Sequence, residues 1–297
     1  MDARQFCPIL NYDMKLTKTW LNKLLMAGIL FLALQAKSYA GSFPVRPGSW
    51  LLSPSVNYFF ANKGWDSLRR LSPFAAGGQF RSIGYSLYTE YGLTKRFTAV
   101  ALLPFVNNNY HDNSGYNSQT NGFTDLEAGI RYYAFNIDYI YYFTIQGTFI
   151  LPLYTNNPNL GYGEKGGELK ASFGGSGKVF GRNYYFNLEN GVRQYFGSDG
   201  PLQDRYTATF GLTLDKRFKQ QLSISLGGFY STSSFSSSYD PKNIAANKNF
   251  AFNQVSVSYG YSFTRRFSTF INAGKFINGR NTGNGSSASI SFIIKPF

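Results

Sequence analysis

The end of the chain carries the clearest alternation of hydrophobic and polar positions. The even-numbered positions are apolar, namely Ala288, Ile290, Phe292 and Ile294. Three odd-numbered positions are serines, namely Ser287, Ser289 and Ser291. Side chains of a β-strand point to opposite faces with a period of two, so this stretch predicts a strand with one apolar face. A terminal strand is a sheet edge, and an apolar edge pairs without control unless something closes it. The pattern favours a barrel closed by the first and last strands, with an edge strand of a secreted β-sandwich as the alternative.

Eleven more stretches have the length and pattern of strands. They lie at 50–60, 80–93, 97–106, 125–135, 142–153, 168–179, 184–196, 205–215, 221–230, 250–263 and 267–276. The connections between strands alternate strictly in length. The long ones lie at 61–79, 107–124, 154–167, 197–204, 231–249 and 277–286, and the short ones at 93–96, 136–141, 180–183, 215–220 and 264–266.

This asymmetry decides between the two folds. Short periplasmic turns and long outside loops are typical of a membrane β-barrel, whereas a sandwich has no reason to collect its long loops at one end. The sequence therefore predicts an all-β fold: a twelve-stranded antiparallel transmembrane β-barrel of the outer-membrane type. Both termini are expected in the periplasm, and the polar long loops are expected to lack structure of their own.

Three of the short turns follow one plan. They read GLTKRF at 92–97, TLDKRF at 213–218 and SFTRRF at 262–267, each with two basic residues and a phenylalanine that opens the next strand. Thr94 and Asp215 are expected to cap these turns, because their side-chain oxygens can accept hydrogen bonds from the turn backbone. Tyrosine and phenylalanine collect at strand ends, as in the aromatic girdles of membrane barrels.

Residues 1–40 have the pattern of a secretory signal peptide. Lysines precede an eleven-residue apolar run at 24–34, and small residues surround a cut after Ala40. The run is shorter than the roughly 20 residues that a membrane-spanning helix needs. Residues 1–13 are predicted to be an upstream extension, since Met14 starts a more ordinary leader.

The composition of the predicted mature chain, residues 41–297, fits the same fold. The cut removes 5 of the 29 Lys and Arg and 2 of the 15 Asp and Glu, which leaves a net charge of +11. A basic surplus fits nucleic acid, anionic lipid headgroups or charged turns, and export argues against nucleic acid. The single cysteine, Cys7, precedes the cut, so the mature chain makes no disulfide. A Gram-negative outer-membrane barrel has this kind of composition.

Charged residues on the strands are predicted to face the lumen, because a charge that faces lipid costs about 2–4 kcal/mol at the middle of the bilayer. The candidates are Arg81, Glu90, Asp125, Glu127, Arg131, Glu168, Lys170, Lys178, Glu189, Arg193, Arg205 and Asp215. Their interleaved signs leave two interpretations open: a compensated set that fills a narrow lumen, or a polar path in which they tune selectivity. Twelve strands lie between small filled barrels and wide porins, so size does not decide.

The sequence predicts no enzyme. A serine nucleophile needs a neighbouring base, and the only histidine, His111, falls in the predicted outside loop. The acidic residues are scattered rather than clustered as in an aspartate protease. With one histidine and no cysteine in the mature chain, neither a metal site nor any other cofactor is expected.

Three stretches resemble a known family. GFTDL at 122–126 with GIRY at 129–132, IQG through LP at 145–152, and YGLTKRF at 91–97 are similar to motifs of the outer-membrane proteins associated with phenol meta-pathway gene clusters, which are often labelled transporters. The resemblance covers about residues 85–180.

The resemblance implies an outer-membrane barrel that passes small apolar or aromatic compounds, with Asp125 and Arg131 as inward polar residues. The expected function is therefore porin-like passage of such a solute. The alternative is a structural or surface-interaction barrel with a filled lumen that acts through its loops. Expected partners are outer-membrane lipid and lipopolysaccharide, and the barrel-assembly machinery through the strand that ends in Phe297. No nucleic acid is expected.

Overall fold

The protein is a closed antiparallel β-barrel. The computed structural model describes residues 44–155, 157, 159–215, 219–234, 239–243 and 247–296. The predicted leader at 1–40, with its cysteine, and Phe297 lie outside these residues. No helix in the described part of the chain is long and apolar enough to cross a membrane.

Twelve strands of the described residues form the wall, as the sequence predicts. They are β1 (Trp50–Ala61), β2 (Gln79–Gly92), β3 (Phe97–His111), β4 (Asp125–Ile137), β5 (Tyr141–Pro152), β6 (Gly166–Val179), β7 (Arg182–Tyr195), β8 (Leu202–Thr213), β9 (Gln220–Thr232), β10 (Phe250–Ser262), β11 (Phe267–Arg280) and β12 (Ser286–Ile294). Each pairs with its neighbours in chain order. Strands of this length cross a bilayer when they are tilted.

The first and last strands close the barrel. Val56 of β1 lies opposite Ile290 of β12, and Ser55 lies opposite Ser291. On its other side β12 pairs with β11. The closure leaves neither strand as an open edge, which removes the pairing hazard of an apolar terminal strand. The predicted barrel is confirmed, and the sandwich is excluded.

The alternation along the strands separates an outer from an inner face. On β2, Ile83, Tyr85 and Leu87 are each at least 38% exposed, because they point away from the barrel. Glu90, on the opposite face of the same strand, is 5% exposed. Exposed apolar side chains all around a barrel are suited to a lipid environment and not to water.

The short connections lie at one end of the barrel, termed the turn end. Thr94 caps its turn by accepting hydrogen bonds from the backbone N–H groups of Arg96 (3.1 Å) and Phe97 (3.0 Å). Thr264 accepts the equivalent bonds from Arg266 (3.1 Å) and Phe267 (3.0 Å). The predicted plan therefore holds at these two turns.

The third turn differs from the predicted plan. Asp215 caps it by accepting from the backbone N–H of Gln220 at 2.9 Å, five residues ahead. The next strand opens at Gln220 and not at Phe218, which lies outside the described residues with its two neighbours at 216–217. The connection at 214–219 is therefore two residues longer than the turns at 93–96 and 263–266.

The opposite end, termed the loop end, has more structure than the sequence predicts. Residues 107–111 extend β3, and Asn117–Phe123 pairs with that extension as a hairpin above the wall. Lys63–Trp65, Leu71–Pro73 and Thr282–Gly283 form a small three-stranded sheet. The prediction of structureless loops is wrong here, because Asn and Ser runs gain ladder hydrogen bonds from their neighbours. The last connection, 281–285, is only five residues long, so the strict alternation of lengths is also relaxed.

Candidate functional site: the barrel lumen

Arg131 of β4 is the centre of a buried polar cluster inside the barrel. Its guanidinium forms an ion pair with Glu90 of β2 at 2.8 Å and donates to the hydroxyl of Tyr88 at 2.7 Å. Tyr88 in turn donates to Glu90 at 2.6 Å, and Gln146 accepts from Arg131 at 3.1 Å. Because every member is bonded to another, the cluster satisfies a charge that is only 5% exposed.

A second cluster is centred on Arg193 of β7. Its guanidinium donates to Glu127 of β4 at 2.5 Å and to Glu168 of β6 at 2.8 Å. Glu168 also forms an ion pair with Arg205 of β8. Asp125 accepts a hydrogen bond from Tyr195 at 3.0 Å beside them. The cluster joins residues from four strands, so it ties the charged half of the wall together.

Ten of the twelve predicted lumen residues lie on inward-facing strand positions. The clusters around Arg131 and Arg193 bring seven of them together, and Lys170 and Glu189 form a looser pair at 3.8 Å. Lys178 lies apart from these, exposed near the turn end of β6.

Arg81 is predicted to face the lumen, but in the structure it faces outward. It shares the outward face of β2 with Ile83 and Tyr85, and its guanidinium carbon lies 6.0 Å from the ring centroid of Phe60. The prediction of a lumen position is wrong because position 81 has the parity of the apolar set. A charge is tolerated there because the cost of facing lipid falls to about 0–1 kcal/mol near the membrane interface.

Asp215 is also predicted to face the lumen, but it does not lie on a strand of the wall. It lies beyond β8 in a turn, where it accepts from the N–H of Gln220, so it is a capping residue rather than a wall residue. His111 is predicted to lie in a loop, but in the structure it is the last residue of β3 and pairs with Gln79 and Asn117. Among the described residues, no group of three or more His, Cys, Asp and Glu side chains could hold a metal ion.

A row of inward-facing phenylalanines at the loop end was missed by the sequence interpretation. This aromatic row consists of Phe80, Phe59, Phe276, Phe252, Phe229 and Phe250. Phe252 and Phe276 stack with ring centroids 4.0 Å apart, and Phe59 and Phe229 continue the row at 5.5 and 5.8 Å. The sequence held a signal for it, since Phe229 and Phe252 are in phase with the inward serines of their strands, Ser225 and Ser256.

A cavity of about 350 Å³ lies between the charged wall and the aromatic row. Glu127, Glu168, Lys170, Glu189 and Arg205 contribute to one side, and Phe229, Phe252 and Gln254 contribute to the other. The guanidinium carbon of Arg205 lies 5.8 Å from the ring centroid of Phe229, so the two sides meet at a cation–π contact. The cavity thus offers both ring faces and charged hydrogen-bonding groups.

Loops at the loop end are held together by an ion cluster, termed the loop clasp, of Lys248, Asp199 and Glu164. The ammonium of Lys248 lies 2.8 Å from Asp199 and 3.3 Å from Glu164, which belong to two different loops. Burial opposes the charge, yet the hydrogen bonds to Asp199 and Glu164 raise the pKa of Lys248 above its ordinary value. The bond from Lys248 lowers the pKa of Asp199. The clasp therefore links three connections across the outer part of the barrel.

An apolar cluster also packs at the loop end. Phe74 lies 6.2 Å from the ring of Tyr239 and 6.5 Å from that of Tyr110, and Ala61 and Phe80 are buried beneath them. Burial raises the pKa of Tyr239, whose hydroxyl has no hydrogen-bond partner among the residues that the structure describes. Two loops thus cover part of the barrel beside the aromatic row.

The wall and lumen define the class of protein: a twelve-stranded β-barrel of the outer-membrane type. Among solved structures, the chain is similar to the COG4313 outer membrane channel from Pseudomonas putida F1, with a TM-score of 0.66 and 13% identity over 88% of this chain and 100% of that one. It is also similar to the beta domain of the Bordetella autotransporter Brka, with a TM-score of 0.52 and 9% identity over 83% and 99% of the two chains. No protein-family model and no curated protein sequence matches the chain. These similarities establish the fold.

Proposed function

We propose that the protein is a channel of the bacterial outer membrane that passes a small apolar or aromatic solute. The observation that carries the proposal is the lumen cavity beside Phe229 and Phe252. Its volume of about 350 Å³ is within the range of small-molecule pockets. The likeness to an outer membrane channel and the resemblance to the phenol-associated family support the same function.

The chemistry of the cavity favours an aromatic solute with a hydroxyl group, such as a phenol. A planar ring gains from offset or edge contacts with the rings of Phe229 and Phe252. Its hydroxyl finds acceptors in Glu189 and Gln254, both of which line the cavity. An alkane would leave the carboxylates that line the cavity without a hydrogen-bond donor.

The aromatic row supplies an approach to this cavity. It starts at Phe80 and Phe59 and runs around the inner wall near the loop end to Phe229. With the short turns in the periplasm, the loop end faces outside. A solute from the medium then meets the aromatic rings before it meets the charged wall.

A structural or surface-interaction barrel is the second candidate. Two observations favour it: most lumen charges are paired, as expected of a filled lumen, and the loops pack around Phe74 and Lys248. In that case the loops act on a partner and the cavity is only a packing gap. Ion conduction separates the two candidates.

The test is single-channel recording of refolded residues 41–297 in a planar bilayer, with phenol titrated on the loop side. The cavity variant is Phe229→Ala with Phe252→Ala. The control is Phe149→Ala, which removes an outward-facing ring that is 45% exposed. It reports any effect of phenol on the bilayer itself.

We expect stable conductance steps that phenol blocks in a saturable way in the wild type and in the control. The cavity variant should need about tenfold more phenol for half-block, since each lost ring contact is worth about 0.5–1.5 kcal/mol. A folded barrel that conducts nothing would favour the structural candidate. If the same phenol concentration gives half-block in all three proteins, phenol does not bind in this cavity.

A further inference from the structure

Two outward-facing cations lie on one ladder of paired residues near the loop end. Lys275 of β11 pairs with Ser286 of β12, Ser286 pairs with Phe60 of β1, and Phe60 pairs with Arg81 of β2. These four residues are termed the cationic row. Three inter-strand steps of about 4.8 Å place the Cα atoms of Lys275 and Arg81 about 14 Å apart.

Among the described residues, no carboxylate neutralises either cation of the row. Arg81 donates to the side-chain oxygen of Gln79 at 3.0 Å, and Lys275 donates to Ser286 at 3.1 Å and to the carbonyl of Asn284 at 3.4 Å. All three acceptors are uncharged. Within the described residues, neither Arg81 nor Lys275 forms an ion pair with a carboxylate, in contrast to the paired arginines of the lumen.

The height of Arg81 along the wall matches the far boundary of the apolar band. At the turn end, the rings of Trp50 and Tyr91 lie 4.7 Å apart as part of an aromatic girdle. From Tyr91 to Arg81 there are ten residues of β2, about 33 Å along the strand. A tilt of about 40° reduces this to about 25 Å, the usual height of the apolar band of such barrels.

Arg81 therefore sits where lipid headgroups begin. Arg81 lies beyond the exposed apolar residues of β2, and the flexible stem of Lys275 lets its ammonium reach upward while the methylenes cover the wall. Phe60 between them offers an apolar surface to an acyl chain. An arginine and a lysine are the side chains that best bind phosphate, the first through paired donors and the second as a point charge.

We propose that the cationic row binds the phosphorylated headgroup of a lipopolysaccharide molecule in the outer leaflet, with one phosphate near Arg81 and another near Lys275. The proposal shares with the proposed function only the outer-membrane location. It does not depend on the passage of a solute, because the row lies outside the barrel and the cavity lies inside.

The test is thermal unfolding of the refolded mature chain in phosphatidylcholine vesicles, with or without bisphosphorylated lipid A. The row variant is Arg81→Gln with Lys275→Gln. The matched control is Arg265→Gln with Lys95→Gln, which removes one arginine and one lysine from exposed turns at the opposite end.

Lipid A should raise the unfolding midpoint of the wild type and the control by about 4 °C or more, because a ligand that binds only the folded state stabilises it. The row variant should lose this rise, and each single variant should lose part of it. Monophosphorylated lipid A should give a smaller rise than the bisphosphorylated form.

The proposal is overturned if lipid A leaves the wild type unchanged, or if the row variant and the control respond equally. If the double variant does not refold, the single variant Arg81→Gln decides, since position 81 is exposed and its loss leaves no buried partner. Arg81→Lys with Lys275→Arg keeps both charges and should keep the rise. Conductance is recorded on the same samples, so a failure of the channel proposal is seen separately.

Discussion

Arg193 on β7 donates to Glu127 on β4 at 2.5 Å, across three strand intervals of the barrel wall. The same guanidinium bonds Glu168 on the neighbouring strand at 2.8 Å. One buried cation thus connects β4, β6 and β7 and holds two carboxylates inside the lumen. The charged side chains are drawn to each other, which leaves the cavity to the side of Phe229 and Phe252.

Loss of the central cation should strongly destabilise the barrel. Arg193→Gln leaves Glu127 and Glu168 buried with less compensation, which costs about 3–5 kcal/mol when a buried pair is broken. The free energy of unfolding in urea, measured in vesicles, checks this. The control Arg70→Gln breaks the exposed pair with Asp66 and should leave the free energy of unfolding nearly unchanged. Equal effects of the two variants would contradict the central role of Arg193.

The loop clasp should depend on pH at both extremes. The pKa of Asp199 is lowered, so its contribution is present above the unfolded value near 3.8 and is lost as pH falls through the folded pKa. The pKa of Lys248 is raised, so its contribution is present below 10.5 and is lost as pH rises through the folded pKa.

We therefore expect proteolysis of the loops to be slow between about pH 4 and 10 and faster outside this window. Lys248→Gln should give fast cleavage at every pH, and Lys242→Gln, in the same loop but outside the clasp, should keep the wild-type profile. A profile of Lys248→Gln that matches the wild type would show that the clasp does not hold the loops.

Gly177 should tolerate no side chain. Gly177 pairs with Tyr184 on the neighbouring strand, and Tyr184 is only 1% exposed. The Tyr184 ring covers Gly177 so closely that a Cβ on the glycine would overlap the ring. Gly177→Ala should cost about 1–3 kcal/mol, as overpacking does. Gly147→Ala is the control, because a Cβ there meets nothing within 4 Å. The midpoint of thermal unfolding should fall for the first variant and stay or rise slightly for the second.

The fold can be predicted from the sequence because a membrane barrel imposes the same alternation of apolar and polar residues on every strand. Apolar residues must face lipid, so the phase of Ala288, Ile290 and Phe292 sets the register of β12, and closure follows from its pairing with β1. The same rule placed Glu90 and Arg131 on the inner face. It was misapplied at Arg81, where the parity of the strand assigns the outer face.

The features that the sequence does not predict are those for which the lipid-facing rule gives no information. An inward phenylalanine breaks no lipid rule, so nothing local marks Phe252 and Phe276 as lumen residues except their phase. The hairpin beyond β3 consists of Asn and Ser residues that are typical of loops, and only the partner strand gives them a ladder. The contact between Arg193 and Glu127 depends on the curvature of the whole wall, which no stretch of sequence reports.

Binding of an aromatic solute in the lumen cavity can be observed in a crystal structure of the barrel soaked with 4-bromophenol, with the bromine located by its anomalous scattering. We predict a bromine peak inside the lumen, within van der Waals contact of the rings of Phe229 and Phe252, and its loss in the variant that lacks both rings. Bromine peaks only on the outer wall, or an interior peak unchanged in the variant, would contradict the claim that this cavity receives the aromatic solute.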